Sequence, residues 1–229
     1  LYSCLNTNCN VVYKVVGYIN ATQMRVQPIS YSSISLIDAQ TNKTDSPIKT
    51  KLDSWYKTNL MSYTSYLADE TFCSDRSVTS GSGYLTTPTT LYGPYKRLQD
   101  NKTPSLKCSQ NNDKFKMSNE SAKLDYPVGL ILADEVALAG GRGSYNGENS
   151  PNSNYYLYNG KYYWTLSPSL FNSDSSFAYV CAVVSSGGLD PWNRVTASRG
   201  VRPVINLKAD TLITKGDGSS LNPFVVKTK

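Results

Sequence analysis

Histidine is absent from the 229-residue chain. That absence removes Ser-His-Asp and Cys-His nucleophilic catalysis, which need an imidazole as proton acceptor. It also removes zinc sites of the Cys-His type. Charge is scarce too. Asp, Glu, Lys and Arg make up 17% of residues, against roughly 25% in an average soluble protein. The net charge is +6, but the basic residues are scattered, with Tyr95-Lys96-Arg97 and the spaced Lys114 and Lys116 as the densest places. A nucleic-acid binder would cluster them into a stripe, so no nucleic-acid partner is expected. No apolar run reaches the roughly 18 residues of a membrane-spanning helix, so no direct membrane insertion is expected. No signal peptide opens the chain and Leu1 is not Met. The expectation is a mature or excised piece of an exported protein.

Neutral polar residues fill the space that charge leaves. Ser, Thr, Asn and Gly abound, and 18 Tyr stand against 5 Phe. Tyr offers a wide contact area with a polar tip, and Ser, Thr and Asn make turns without charge. The same palette dominates antibody binding loops. It predicts an extracellular domain rich in strands and loops. The five cysteines are Cys4, Cys9, Cys73, Cys108 and Cys181. None forms a CxxC pair, and the spacings do not suit a four-thiolate zinc site. One or two disulfides fit better and imply an oxidising compartment. Five is odd, so at least one thiol is free or pairs outside the chain, and the partners of Cys4, Cys9 and Cys181 stay open.

Patterning predicts an α+β chain. Val11-Val12-Tyr13 and Ile29-Ser30-Tyr31 in residues 1–46 read as short strands. Ile48, Leu52, Trp55, Tyr56, Leu60, Tyr63 and Leu67 recur at three- and four-residue steps, one face of an amphipathic helix. Ser46 is placed to cap it and Pro47 to occupy its first turn. From Asp69 to Asp125 the pattern dissolves into Gly and Pro punctuation. A segment of that length needs a tie, and a Cys73–Cys108 disulfide would supply it. Pro127–Leu132 reads as an apolar strand leading into a short helix, Asp134–Ala139, closed by Gly140-Gly141. A polar loop spans Arg142 to Asn154. Tyr155–Tyr158, Asn159-Gly160 and Tyr162–Leu166 read as a hairpin. Further strands are expected at Ala178–Val184, Val201–Leu207 and Phe224–Val226, with turns at Gly187-Gly188 and Gly216-Asp217-Gly218. No repeat or linker divides the chain, so one domain over residues 1–229 is expected.

The remaining motifs carry little chemistry. Ser121-Ala122-Lys123 has the wrong spacing for Ser-Lys catalysis. Gly140-Gly141-Arg142-Gly143 follows a helix, whereas a phosphate loop precedes one. Asp134 and Glu135 are neighbours, so their carboxylates diverge and read as acids in the first turn of a helix. Asp217 between glycines reads as a turn residue. The sequons at Asn20, Asn42, Asn101 and Asn119 are what an Asn-, Ser- and Thr-rich chain contains by chance. No cofactor or metal is expected.

Five motifs in order carry a resemblance: Leu52-Asp53-Ser54-Trp55-Tyr56; Phe72-Cys73-Ser74-Asp75-Arg76-Ser77; Gly129-Leu130-Ile131-Leu132-Ala133-Asp134-Glu135-Val136; Tyr163-Trp164-Thr165-Leu166-Ser167-Pro168; and Gly200-Val201-Arg202-Pro203-Val204-Ile205-Asn206-Leu207. From Ile48 to the C-terminus the chain resembles C-type lectin-like domains of bacterial and prophage surface proteins, related to the formylglycine-generating-enzyme fold. Some of these are the variable proteins of diversity-generating retroelements. The resemblance implies a C-type lectin-like fold, two helices with antiparallel strands and long irregular loops. It implies a surface-displayed, adhesion- or receptor-like module that binds a protein or glycan, on a cell or a phage particle.

In such variable proteins, hypervariable residues near the C-terminus sit between fixed framework residues. By that resemblance, Trp164 and Gly200–Pro203 are framework. The binding face is then Ser173, Asp174, Ser175, Phe177, Tyr179, Cys181, Val183, Ser185, Leu189, Asp190, Trp192, Asn193, Arg194, Thr196 and Ser198. Variation in this family arises by randomising adenines in Asn codons, which yields Ser, Phe, Tyr, Cys, Asp, Leu or Val but not Trp, Lys, Gln, Glu or Met. Apart from Trp192, residues 173–198 contain none of those five. Cys181 then reads as a product of variation. The alternatives are an invariant structural module of a large surface protein and a formylglycine-type oxidase. The oxidase needs a copper-holding cysteine pair, and Cys181 stands alone in this region. The expected function is therefore non-catalytic.

Overall fold

The computed structural model describes residues 13–16, 25–26, 42, 45–142, 153–219 and 221–227. The expected strands around Val11-Val12 and Ile29-Ser30-Tyr31 lie largely outside the described residues, as do Cys4, Cys9, Asn20 and most of the Arg142–Asn154 loop. Helix α1 spans Pro47–Asn59, and the Ser46 side chain accepts a bond from the Lys49 amide at 3.1 Å. Pro47 costs the first turn nothing, because its missing N–H would have no helical partner there. Ile48, Leu52 and Tyr56 are buried. The expected helix ran to Leu67, but the α-helix stops at Asn59 and a 3-10 helix covers Met61–Tyr66. Tertiary pairing explains the stop: Leu67 bridges Leu207, and the Ala68 amide donates to the Asn206 carbonyl at 2.8 Å.

The strands are β1 Tyr13–Val16, β2 Arg25–Val26, β3 Phe72–Cys73, β4 Val78–Ser80, β5 Thr90–Tyr92, β6 Lys114–Phe115, β7 Val128–Gly129, β8 Tyr163–Asn172, β9 Phe177–Val183, β10 Leu189–Arg194, β11 Arg199–Gly200, β12 Val204–Leu207, β13 Ile213–Lys215 and β14 Val225–Val226. The α-helices after α1 are the single turn α2, Gly93–Tyr95, which continues as a π-helix over Lys96–Asn101, and α3, Ala133–Leu138; a 3-10 turn covers Asn111–Asp113. The protein is thus α+β, with few helices and mostly antiparallel sheets. The largest sheet runs β10-β9-β8-β11-β2, and β5, carrying β4, joins β8 beyond β11. A second sheet runs β1-β12-β7. Among the described residues no helix is long and apolar enough to cross a membrane.

β8 organises the molecule. One of its edges pairs with β9 along its length; the other meets β11 at Tyr163 and β5 at Leu170 and Phe171. Pro168 sits where the β8–β9 register shifts, the bulge position a central strand reserves for proline. With both edges taken, Tyr155–Tyr158 cannot pair with β8, and the expected hairpin does not form. That segment is a turn instead, closed by Tyr158 N to Tyr155 O at 3.0 Å. Tyr155 and Leu157 are buried, the Tyr155 hydroxyl donates to Gly187 O at 2.8 Å, and Arg202 Nη1 holds Leu157 O at 2.7 Å. The expected strands at Pro127–Leu132 and Val201–Leu207 shorten to β7 and β12.

The core has two main bodies. One packs Phe72, Ile131, Val136, Tyr163, Cys181, Val183 and Leu189 between α3 and the large sheet; the other packs Ile48, Leu52, Tyr56, Trp164, Ala182 and Val201 beneath α1. Between Asp69 and Asp125, where sequence patterning is silent, order comes from specific bonds. Cys73 and Cys108 form a disulfide with Cα atoms 5.9 Å apart. Asp113 accepts from the Arg76 amide at 2.8 Å and from Arg76 Nε at 2.7 Å. Asp69 accepts from the Met117 and Ser118 amides at 2.7 and 2.9 Å.

Candidate functional site

The expected binding residues lie on β9, β10 and the turns flanking them, and they fall into two layers. Tyr179, Cys181, Val183, Leu189 and Asn193 are buried. They point into the protein and cannot touch a ligand in this conformation. Ser173, Phe177, Asp190, Thr196 and Ser198 are half-buried, and Asp174, Ser175, Ser185, Trp192 and Arg194 are exposed. Along β10, Leu189, Pro191 and Asn193 are buried, and Trp192 and Arg194 are exposed. The division follows from what covers the sheet: Leu189 pairs with Val183 and Arg194 with Tyr179, so these share a face that the main core covers at Leu189 and leaves open at Arg194, past the register shift between Asp190 and Asn193.

Cys181 illustrates the inner layer. Its thiol is buried, free and pushed up to about 12 by burial. It packs in the core with Val183 and Leu189, as a small apolar side chain would. Trp164, one of the expected framework residues, is fully buried, and Arg202 stacks over the Tyr163 ring at 4.6 Å.

The outer layer is aromatic. Trp192 is 44% exposed. It stands perpendicular to Tyr179 and Tyr95, with ring centroids 5.6 and 6.1 Å away. The Arg194 guanidinium lies 3.9 Å over the Phe177 ring. Leu170, Tyr179 and Tyr95 are buried beneath, packed by Leu91 and Phe177. The turn after β8 is tied to the strand beside it, because the Ser173 amide donates to Thr89 Oγ1 at 3.1 Å. Tyr84 meets Phe171 edge-on at 5.0 Å, and the next residue, Leu85, is exposed with φ +59°. Tyr95, Leu91 and Thr89 belong to this face although they lie far from it in sequence. The only local sign of Tyr95 is Gly93-Pro94-Tyr95, which reads as mere punctuation.

A polar network backs Trp192. Asp190 accepts from the Trp192 amide at 2.9 Å and from Asn193 Nδ2 at 2.8 Å, while the Tyr162 hydroxyl donates to Asn193 Oδ1 at 2.6 Å with Asp190 Oδ2 at 3.2 Å. Arg199 lies 4.3 Å over the Tyr162 ring. Burial first, and then the Asp190 charge, raise the Tyr162 phenol above its ordinary range, so it stays a neutral donor.

Two further charge clusters lie away from this face. Arg97 bonds Asp134 through Nε and Nη2, each at 2.9 Å, and Asp75 through Nη1. Asp134 is therefore more than a helix-turn acid: it is buried and also accepts from the Ser105 amide at 2.8 Å. Glu135 accepts from the Leu132 amide, and Ser167 Oγ accepts from the Ala133 amide, both at 2.9 Å, so β8 helps cap α3. The crevice beside Arg97 has a volume of about 10 Å3, room for about one water. The second cluster is Asp45, Asp53 and Asp125, whose spacing would suit a cation. The Lys49 ammonium already bonds all three, at 3.1, 2.8 and 2.6 Å.

These features define an α+β protein whose tryptophan and arginine side chains gather on the edge strand of its largest sheet, over a buried tyrosine layer. No protein-family model, curated protein or solved structure matches the chain.

Proposed function

We propose that the protein is a non-catalytic ligand-binding module, a single C-type lectin-like domain displayed on a bacterial cell or phage particle. Its contact surface is the outer layer of β9 and β10 with the adjoining 173–175 turn. One observation carries this reading: Trp192 stands exposed against Tyr95 and Tyr179, beside an exposed Arg194 stacked on Phe177. Trp, Tyr and Arg dominate the energetics of protein interfaces when set over a packed base. Tyr179 belongs to that base with Tyr95 and Leu170, whereas Cys181, Val183 and Leu189 pack in the core against α3.

The two layers also refine the retroelement form of the reading. Variation is tolerable at Asp174, Ser175, Ser185, Trp192 and Arg194. At Cys181, Val183 or Leu189 it would reshape a packed core and cost stability. Those positions favour an invariant framework, so any variation among copies should fall on the exposed set. Sequencing the locus checks this. A neighbouring reverse transcriptase gene and a near-copy of the segment for residues 163–207 would support the variable form; their absence would assign the invariant module.

Binding itself is tested by screening the immobilised protein against a peptide display library and a glycan array. Ligands selected on the wild type should be lost with Trp192→Ala while its circular dichroism stays unchanged. Ligands held equally by Trp192→Ala, or no selectable ligand in either screen, would overturn the reading.

A further inference from the structure

We propose that the partner is a protein segment presenting an Asp or Glu carboxylate beside a bulky apolar side chain, with the carboxylate forked on Arg194 and the apolar group against Trp192. This rests on the binding reading above and specifies its ligand.

Arg194 is set apart by its stacking on Phe177; Arg142 is also exposed without a carboxylate partner among the described residues, but no ring orders it. Arg76 bonds Asp113, Arg97 bonds Asp75 and Asp134, Arg199 reaches Asn193 Oδ1, and Arg202 holds the Leu157 carbonyl. Among the described residues no carboxylate pairs with Arg194, which is exposed and stacked on Phe177. Stacking fixes the guanidinium plane and leaves its N–H edge open, the arrangement that receives a carboxylate with two parallel bonds. The ordering cost of a long cationic side chain is thus met before the partner arrives. A net charge of +6 also favours encounter with an acidic partner.

The surroundings disfavour other occupants. A sugar-binding tryptophan needs free acceptors and amides beside it for hydroxyl groups. Here Asp190 is committed to the Trp192 amide and Asn193 Nδ2, and Asn193 Oδ1 to the Tyr162 hydroxyl. Strand addition to the open edge of β10 is also blunted. Pro191 has no N–H, and the Trp192 N–H is spent on Asp190. Recognition therefore passes through the side chains of Trp192 and Arg194.

The test is to pan a phage-displayed random peptide library on the wild type, then measure the selected peptides as free ligands against Arg194→Gln, Arg194→Lys and Trp192→Ala. The wild-type pool should be enriched in Asp or Glu next to an aromatic or aliphatic residue. Arg194→Gln should weaken those peptides by about tenfold or more, the scale of a charge-assisted hydrogen bond, and Arg194→Lys should weaken them less. Added salt should weaken the wild type and leave Arg194→Gln nearly unaffected. Thermal unfolding midpoints of the Arg194 variants should match the wild type, which separates binding from folding. A pool without acidic enrichment, a preference for glycans over peptides, or unchanged affinity with Arg194→Gln overturns this proposal. If Arg194→Gln is silent but Trp192→Ala abolishes binding, the ligand class alone is wrong. If Trp192→Ala is also silent, the binding face itself is wrong.

Discussion

The Arg97 guanidinium grips the Asp134 carboxylate with two parallel bonds of 2.9 Å, Nε to Oδ1 and Nη2 to Oδ2, joining the π-helix Lys96–Asn101 to the start of α3. Asp75 takes the remaining edge of the same guanidinium. Gly93 makes room for the triad: a Cβ there would lie 2.6 Å from Asp75 Oδ2 and 2.9 Å from Arg97 Nη1. Breaking a buried ion pair from one side leaves uncompensated charge and costs about 3–5 kcal/mol. Arg97→Met strands Asp134, whose side chain is 2% exposed, together with Asp75. Urea unfolding of Arg97→Met should show a loss of that size; a change below about 1 kcal/mol, the scale of an exposed pair, would mean that the triad contributes no more than a surface ion pair.

The same triad predicts the acid limb of stability. Burial would raise the Asp75 carboxyl, but bonds from Ser77 and Arg97 outweigh it and hold the carboxyl below its ordinary 3.8. A group whose folded pKa is depressed stabilises the fold above its unfolded pKa and loses that contribution as pH falls through the folded value. Stability should therefore decline as pH drops below about 4. Asp75→Asn should be less stable at neutral pH and show a shallower decline in acid, read from urea midpoints across pH. Parallel curves for the two proteins would contradict the assignment.

What the sequence made legible was local. Ser46 and Pro47 marked the start of α1 because a helix start is written in neighbouring residues. The acids of Asp134-Glu135 marked α3 in the same way. The hairpin at Asn159-Gly160 misled because its local signal is real, with Gly160 at φ +66°, but both edges of β8 were already claimed by strands distant in sequence. The proposed contact face was legible as a stretch and not as a surface. The register shift between Asp190 and Asn193 breaks the period-two alternation of β10, so the side chains that emerge cannot be counted off along the strand. Tyr95 and Arg97 were invisible as partners because their contacts exist only in three dimensions.

The disulfide closes a segment 35 residues long whose last part, from residue 102 on, has no regular structure. Chain-entropy arguments give such a cross-link about 4 kcal/mol. The double variant Cys73→Ser with Cys108→Ser should lose stability on that scale in urea. Native-state hydrogen exchange should speed up first in residues 102–110, which contribute the Ser105 amide to Asp134 and otherwise run as an irregular strand of chain. Exchange that rises equally across the whole sheet would show the bond to be a global rather than a local clamp.

Cys181 should be chemically silent. Its thiol is buried and pushed up to about 12, and the thiolate is the reactive form. In folded protein at mildly alkaline pH, labelling by iodoacetamide should proceed only as fast as the core opens, whereas denatured protein should react at the rate of a free thiol. Mass spectrometry of the labelled peptide reads this directly. Rapid modification of the native protein would place the thiol at the surface and restore it to the contact face.

Leu189 and Trp192 are three residues apart on one strand, and they separate support from contact. Leu189 is 2% exposed within the main core, and Trp192 is 44% exposed over the Tyr95 and Tyr179 rings. Leu189→Ala should cost about 2–5 kcal/mol, the range for emptying a packed aliphatic site. Trp192→Ala should cost about 1 kcal/mol, the scale of the aromatic contacts it gives up to Tyr95 and Tyr179. For ligand capture the order should reverse. Leu189→Ala, held well below its unfolding temperature, should retain the affinity of the folded fraction, and Trp192→Ala should lose it. Equal costs in both assays would collapse the distinction between layers and return the whole of residues 173–198 to a single undivided surface.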